Sequence, residues 1–361
     1  MSTPVIHKVK TKKSVIGAIQ EKCPYCAGTA IVKKGRREKK MEIVQLWFCA
    51  DCKKVFTPQL VKGKSFPLRV IFDGISYYNL GYSLENSCKF LKAKYGLAVA
   101  PSTVGQWIEE YREVCTYRRM RDYVMRRYTP QRTLVSATLY HRQVYTFRYH
   151  PAKLELLLEE DFKNEPLYRL KEFLDNVSVE CPHQYFREGV RASEVKAKFD
   201  MERVMIREKH NFANRLAGFA LQAVQNNKER HEALERFMIA NDSVTVAVEV
   251  PIYFTPEDLE HMKSVLGFTI PLTLEKTLTG HIDIVQVRNG AVHILDYKPK
   301  ARREQPINQL TLYALALSRL TGLKLYNFKC AWFDEKTYHE FFPLHVVYKK
   351  QPRKRKQKVY V

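Results

Sequence analysis

Apolar residues change their spacing several times along this 361-residue chain, and each change marks an element. The firmest pattern runs from Gly280 to Tyr313, GHIDIVQVRNGAVHILDYKPKARREQPINQLTLY. Apolar positions on either side of Asn289-Gly290 predict two antiparallel strands joined by a tight turn. A two-residue type I′ loop needs φ > 0 at both central positions, and Asn-Gly adopts it most readily. A helix follows, started by Pro306 and stopped by Gly322. Upstream, VAVEVPIYF around Glu249 reads as another strand. Residues 200–238 carry Lys and Arg on one face with Phe212, Leu216, Phe219 and Leu221 interleaved, which predicts a long helical region packed beside the sheet. Helical spacing also covers Pro67–Leu80, Leu84–Tyr95 and Pro101–Arg112, the third with Val104, Trp107, Ile108 and Tyr111 facing inward. Residues 116–132 form a basic, aromatic-rich helix, 133–150 alternate like strands, and 160–178 look helical.

The hairpin has a chemical consequence. With Asn289-Gly290 as the loop, Arg288 faces Ala291 and Asp283 falls opposite Asp296. Directly opposed residues share a face, with Cβ atoms about 4.5–5.5 Å apart. Two carboxylates that close repel unless a positive charge lies between them. A divalent cation fills that role, since Mg²⁺ sites often use one or two carboxylates. Lys298, two residues beyond Asp296, returns to the same face. Two Asp and a Lys around one metal suit phosphodiester hydrolysis, because the metal polarises the phosphate and lowers the pKa of a bound water.

These residues resemble the PD-(D/E)XK nuclease superfamily, and its RecB-like branch in particular. Gly280–Asp283 matches the family's G-x-x-D, and Asp296-Tyr297-Lys298 matches its D-Y-K. Gln309 and Tyr313 match its Q-x-x-x-Y, and His231 and Glu235 match an upstream His-x-x-x-Glu. The resemblance implies Asp283, Asp296, Lys298, Gln309 and Tyr313 as catalytic residues. It implies Mg²⁺ or Mn²⁺ held by Asp283, Asp296 and the Tyr297 carbonyl, with His231 as a further ligand. Only Cys330 follows the catalytic helix, so no iron–sulfur cluster is expected.

Lys and Arg number 61 against 38 Asp and Glu, a formal net charge of +23, which implies a polyanionic partner, here DNA. The absence of a long apolar run or a signal-peptide pattern leads to the expectation of a cytoplasmic protein, nucleoid-associated in a prokaryote. Four of the eight cysteines form two C-x-x-C pairs, Cys23/Cys26 and Cys49/Cys52, whose spacing predicts a structural Zn²⁺ site with all four positions filled. The runs IVKKGRREKK and MEIVQLWFC between them read as a ribbon hairpin. Cys181 stands alone in the sequence. The run QLWFCADCKKVFTPQ resembles the zinc ribbon of insertion-sequence transposases, and the helices after it read as a helix-turn-helix. The third helix would enter a DNA groove by its N-terminal end, offering Ser102, Thr103, Gln106 and Arg112.

The expected architecture is a multidomain α+β chain. Residues 1–62 form the zinc ribbon, 63–130 the helix-turn-helix, and 131–199 an intermediate α/β segment of unknown role. Residues 200–346 form a restriction-endonuclease-like α/β core with a mixed sheet flanked by helices, and 347–361 a disordered basic tail. The expected function is a metal-dependent deoxyribonuclease targeted by its amino-terminal module. The competing readings are a noncatalytic DNA-binding regulator and a transposase-related protein of a mobile element.

Overall fold

The computed structural model describes residues 15–16, 22–38, 43–57, 63–202, 204–224 and 229–348. The expected basic tail lies outside the described residues from 349 onward. The chain divides into two compact units, Met1–Thr116 with Leu216–Asn241, and Tyr117–Arg215 with Asp242–Val361.

The first unit begins with a small sheet. Strand β1 (Val15–Ile16) pairs in parallel with β3 (Ile43–Cys49), while β2 (Ile31–Glu38) and β4 (Val55–Phe56) pair with β3 antiparallel. Helices α1 (Leu68–Asn79), α2 (Leu84–Tyr95) and α3 (Pro101–Glu110) follow at the expected places. Ser83 caps α2, its hydroxyl accepting from Asn86 N at 3.1 Å, and Gly96 ends it at φ 69°. Gly74 lets α1 approach α3, since a Cβ there would lie 3.2 Å from the Trp107 ring. The segment Arg230–Asn241, α10 in chain order, packs on α1: Asn79 Nδ2 donates to Asn241 Oδ1 at 2.8 Å and Phe72 meets Phe237.

The second unit holds the larger sheet. Its first elements are α4 (Arg118–Arg127), α5 (Pro130–Thr133), β5 (Val135–His141), β6 (Gln143–Tyr149), α6 (Pro151–Glu160), α7 (Tyr168–Glu180), α8 (His183–Glu188), β7 (Val190–Arg191) and β8 (Arg207–Lys209). After α9 (Phe212–Ala220) and α10 come β9 (Thr245–Phe254), α11 (Pro256–Ser264), β10 (Leu278–Arg288), β11 (Ala291–Tyr297), α12 (Ile307–Thr321), β12 (Phe328–Phe333), β13 (Tyr338–Phe341) and α13 (Pro343–Val347). The nine described strands run β5-β6-β9-β10-β11-β12-β13-β8, with β7 beside β10. Only β11–β12 and β10–β7 are parallel. Helix α12 makes the β11–β12 crossover, as a parallel pair requires. Strands β9, β10 and β11 are almost wholly buried because they lie inside the sheet. Residues 131–199, whose role the sequence left open, supply β5 and β6 to this same sheet.

The expected long helical region over 200–238 is broken. Arg207–Lys209 is drawn into the sheet as β8 against β13. Asn211 then starts α9, its side chain accepting from Ala213 N at 3.0 Å, and a separate helix begins at Arg230. Backbone pairing with an open sheet edge prevails here over helical spacing. Among the described residues, no helix is long and apolar enough to cross a membrane.

Candidate active site

The β10–β11 ladder runs from Arg288↔Ala291 to Ile284↔Leu295, and one more step sets Asp283 beside Asp296. The turn has φ 53° at Asn289 and 71° at Gly290, the left-handed pair that Asn-Gly was expected to adopt. Asp296 is 4% exposed and Asp283 is half-buried. Lys298 lies one residue past the strand end, its N–H donating to Phe333 O at 2.9 Å. Its Nζ is 2.8 Å from Asp296 Oδ2. Alternation turns Tyr297 to the other face, where its buried hydroxyl donates to Glu335 Oε1 at 3.2 Å.

The electrostatics follow from burial. Desolvation, with the charge of Asp283 added, pushes the Asp296 carboxyl well above the ordinary range, and Lys298 only partly offsets this. Burial works against the Lys298 ammonium, but the Asp296 and Asp283 carboxylates outweigh it and hold its pKa above the usual value. The charge-assisted contact of Lys298 with Oδ2 is the close cationic partner of this buried carboxylate. One ammonium between two close carboxylates leaves negative charge uncompensated, and a hard divalent cation is the partner that oxygen donors of this kind accommodate. The acidic pair thus fits Mg²⁺ or Mn²⁺.

Glu249 joins this corner of the sheet. The β9–β10 pairs Val250↔Ile282 and Val248↔Ile284 bracket it against Asp283. Its φ is +51°, a left-handed conformation inside a strand that costs a non-glycine residue about 1–2 kcal/mol. Backbone strain of this kind gathers at functional sites because the surrounding ladder must hold it in place.

Helix α12 supplies the remaining pair. Gln309 Nε2 donates to Tyr313 Oη at 2.7 Å, and Tyr313 is buried. A Cβ on Gly280 would lie 2.5 Å from Tyr313 Cε1, so the glycine of G-x-x-D makes room for the tyrosine of Q-x-x-x-Y. Two further residues border the cluster that sequence reasoning did not select. Arg191 Nη2 donates to Tyr145 Oη at 2.8 Å, and the Tyr145 ring stacks on His281 at 3.7 Å. Tyr145 also feels the charges of Glu249 and Asp283. No motif marks either residue, since β6 and β7 reach β10 only through the sheet. His231 and Glu235 lie one turn apart on α10, half-buried and buried respectively.

In the first unit, the Sγ atoms of Cys23 and Cys52 are 3.5 Å apart, and those of Cys26 and Cys49 3.6 Å. All four fall within 4.8 Å of one another. Thiolates around tetrahedral zinc at about 2.3 Å are roughly 3.8 Å apart, so this cluster could bind zinc. The two loops share one shape. Cys23 N donates to Gly28 O and Cys49 N to Lys54 O, while Ala27 and Lys53 have φ 58° and 55°. On and just beyond α3, Ser102, Gln106 and Arg112 are exposed and Thr103 half-buried, while Val104, Trp107, Ile108 and Tyr111 face the core as expected.

A sequence profile of the PD-(D/E)XK nuclease superfamily matches residues 157–358. No curated protein matches the chain, and no solved structure does. The profile spans more than half of the 361 residues and includes the Asp283, Asp296 and Lys298 cluster together with α12, so the chain belongs to the PD-(D/E)XK nuclease superfamily.

Proposed function

We propose that the protein is a metal-dependent deoxyribonuclease of the RecB-like branch, brought to duplex DNA by an amino-terminal zinc ribbon and helix-turn-helix. One observation carries the catalytic reading: the buried Asp296 carboxylate holds Lys298 at 2.8 Å on the strand register that brings in Asp283. Asp283, Asp296 and the Tyr297 carbonyl are the proposed ligands of Mg²⁺ or Mn²⁺. His231 enters as a further ligand on its sequence pattern alone. Glu249 adds a carboxylate beside Asp283. The metal, when bound, supplies Lewis acidity to the phosphate and a more acidic water. Lys298 orients the attacking water and steadies charge that develops on the phosphate. Gln309 and Tyr313 brace the strand that carries Asp283, through the close contact of Tyr313 with Gly280.

The targeting reading rests on the four-cysteine cluster and the exposed face of α3. Ser102, Thr103, Gln106 and Arg112 are the proposed DNA contacts, and the excess of Lys and Arg supplies salt-sensitive phosphate attraction. The test is to incubate the purified chain with linear, circular and single-stranded DNA in Mg²⁺, Mn²⁺ or EDTA. Cleavage should require metal, and the linear-to-circular comparison separates end-dependent from internal cutting. Undiminished cutting by both Asp296→Asn and Lys298→Ala would remove the catalytic assignment. Gln106→Ala should alter sequence preference more than total affinity, because base contacts specify while phosphate contacts position. Unaltered preference would remove α3 as the reader.

A further inference from the structure

Next to the catalytic corner, in the second unit, three metal-binding side chains converge that the nuclease reading does not use. His141 ends β5, whereas Cys181 and His183 flank Pro182 in the turn that opens α8. His141 Nε2 lies 2.8 Å from His183 Nδ1 and 3.9 Å from Cys181 Sγ. Each residue offers one donor atom, and the three donor atoms lie within 4.8 Å of one another. Two nitrogens and a sulfur bound to one zinc at about 2.0–2.3 Å would be spaced roughly 3.3–3.6 Å apart, so small side-chain shifts bring these three donors to one ion.

The surroundings suit a ligand set. The His141 ring is fixed face to face with Phe186 at 3.8 Å. Its other nitrogen, Nδ1, is 2.9 Å from His281 Nε2. A metal-bound imidazole usually has such an outer partner, which sets its tautomer and orientation. The backbone bond from His183 N to Cys181 O, 2.9 Å, tightens the turn that brings the two ligands to one side. Cys181 is half-buried and His183 exposed, so the fourth position opens to solvent.

We propose that His141, Cys181 and His183 form a second zinc site, separate from the four-cysteine cluster and from the nuclease carboxylates. Thiolate with imidazole favours zinc over Mg²⁺ or Mn²⁺, which prefer oxygen donors. The site clamps β5 and α8 together and reaches β10 through His281. His281 lies two residues before Asp283, on the same strand face. The metal thereby holds the strand that carries the catalytic aspartate. The proposal does not depend on nuclease activity, because metal content reads it directly.

The test counts zinc in the full-length protein after dialysis against excess Mg²⁺. The wild type should hold two zinc ions per chain. Cys181→Ser and His183→Ala should each lose one and keep the other; His183 is exposed, so its replacement leaves the core intact. In a Cys49→Ser/Cys52→Ser background, cobalt substitution should still give a thiolate-to-metal absorption band, and adding Cys181→Ser should abolish it. Zinc content unchanged by Cys181→Ser and His183→Ala, whether one ion per chain or two, would overturn the proposal and leave the three imidazoles as a hydrogen-bonded chain only.

Discussion

The four-cysteine cluster of the first unit and the carboxylate cluster of the second differ in what they leave open. Cys23, Cys26, Cys49 and Cys52 offer one another a complete tetrahedral sphere, built on two loops of matching backbone shape. A metal held by all four thiolates would have no position left for a substrate and would serve to hold the fold. Asp283 and Asp296 would supply only part of a metal's sphere, with Lys298 at 2.8 Å from Asp296. A metal there keeps positions for water and phosphate. On the proposed reading, the contrast separates a site that would stabilise structure from one that would act on a ligand.

The largest expected effect bears on the open site. Asp296→Asn or Lys298→Ala should lower single-turnover cleavage on the order of 10²–10⁴-fold while DNA binding persists. Retained binding measured beside lost cleavage would sharpen the contrast; cleavage at the wild-type rate would break it.

The closed site is tested by Cys49→Ser/Cys52→Ser. That variant should lose one zinc, and hydrogen exchange should show the backbone around β2 and β3 opening, because structural zinc carries the folding energy of such small sheets. Strands β9–β11 should keep their protection. Uniform loss in both units would mean that the two sites do not support separate structures.

A smaller effect concerns the contact behind Asp283. Gly280→Ala should destabilise the second unit by about 1–3 kcal/mol, the usual cost of overpacking. The motive is the 2.5 Å approach of the added Cβ to Tyr313. Denaturant titration should show the penalty shrinking in a Tyr313→Leu background. An equal penalty in both backgrounds would rule out this contact as its cause.

A last effect is a pH dependence. Lys153 on α6 is fully buried, its ammonium donating to Asp242 O at 2.6 Å and Thr245 O at 2.8 Å. Burial lowers its pKa from 10.5 to about 7, with Asp242 resisting. Between those values the unfolded chain holds more protons than the folded one, so this contribution to stability rises with pH from about 7 to 10.5 and is flat below. Lys153→Met should flatten that rise in thermal melts. An identical slope in the variant would show that other groups cause it.

Much of this was legible because the deciding signals are local. Asn289-Gly290 specifies a hairpin, the hairpin specifies a register, and the register sets Asp283 beside Asp296. Paired C-x-x-C spacing brings Cys23, Cys26, Cys49 and Cys52 into one cluster, and Pro306 and Gly322 bracket α12 as expected. The break at Arg207–Lys209 was not legible, since helical spacing carries no information about an open sheet edge at β13. Nor were Arg191 and Tyr145, which reach the cluster from β7 and β6. Cys181 stands alone in the sequence yet meets His141 and His183 in the fold.

The amino-acid sequence by itself determined the hairpin, the spacing of both C-x-x-C pairs, the helices that follow them and the family of the nuclease residues. The tertiary structure alone decided that residues 131–199 join the nuclease sheet, that Glu249 adopts a strained conformation opposite Asp283, and that His141, Cys181 and His183 converge. Turns and caps act within a few residues, so sequence spacing encodes them. Sheet neighbours are chosen by pairing between segments far apart in the chain, and no local pattern names the partner.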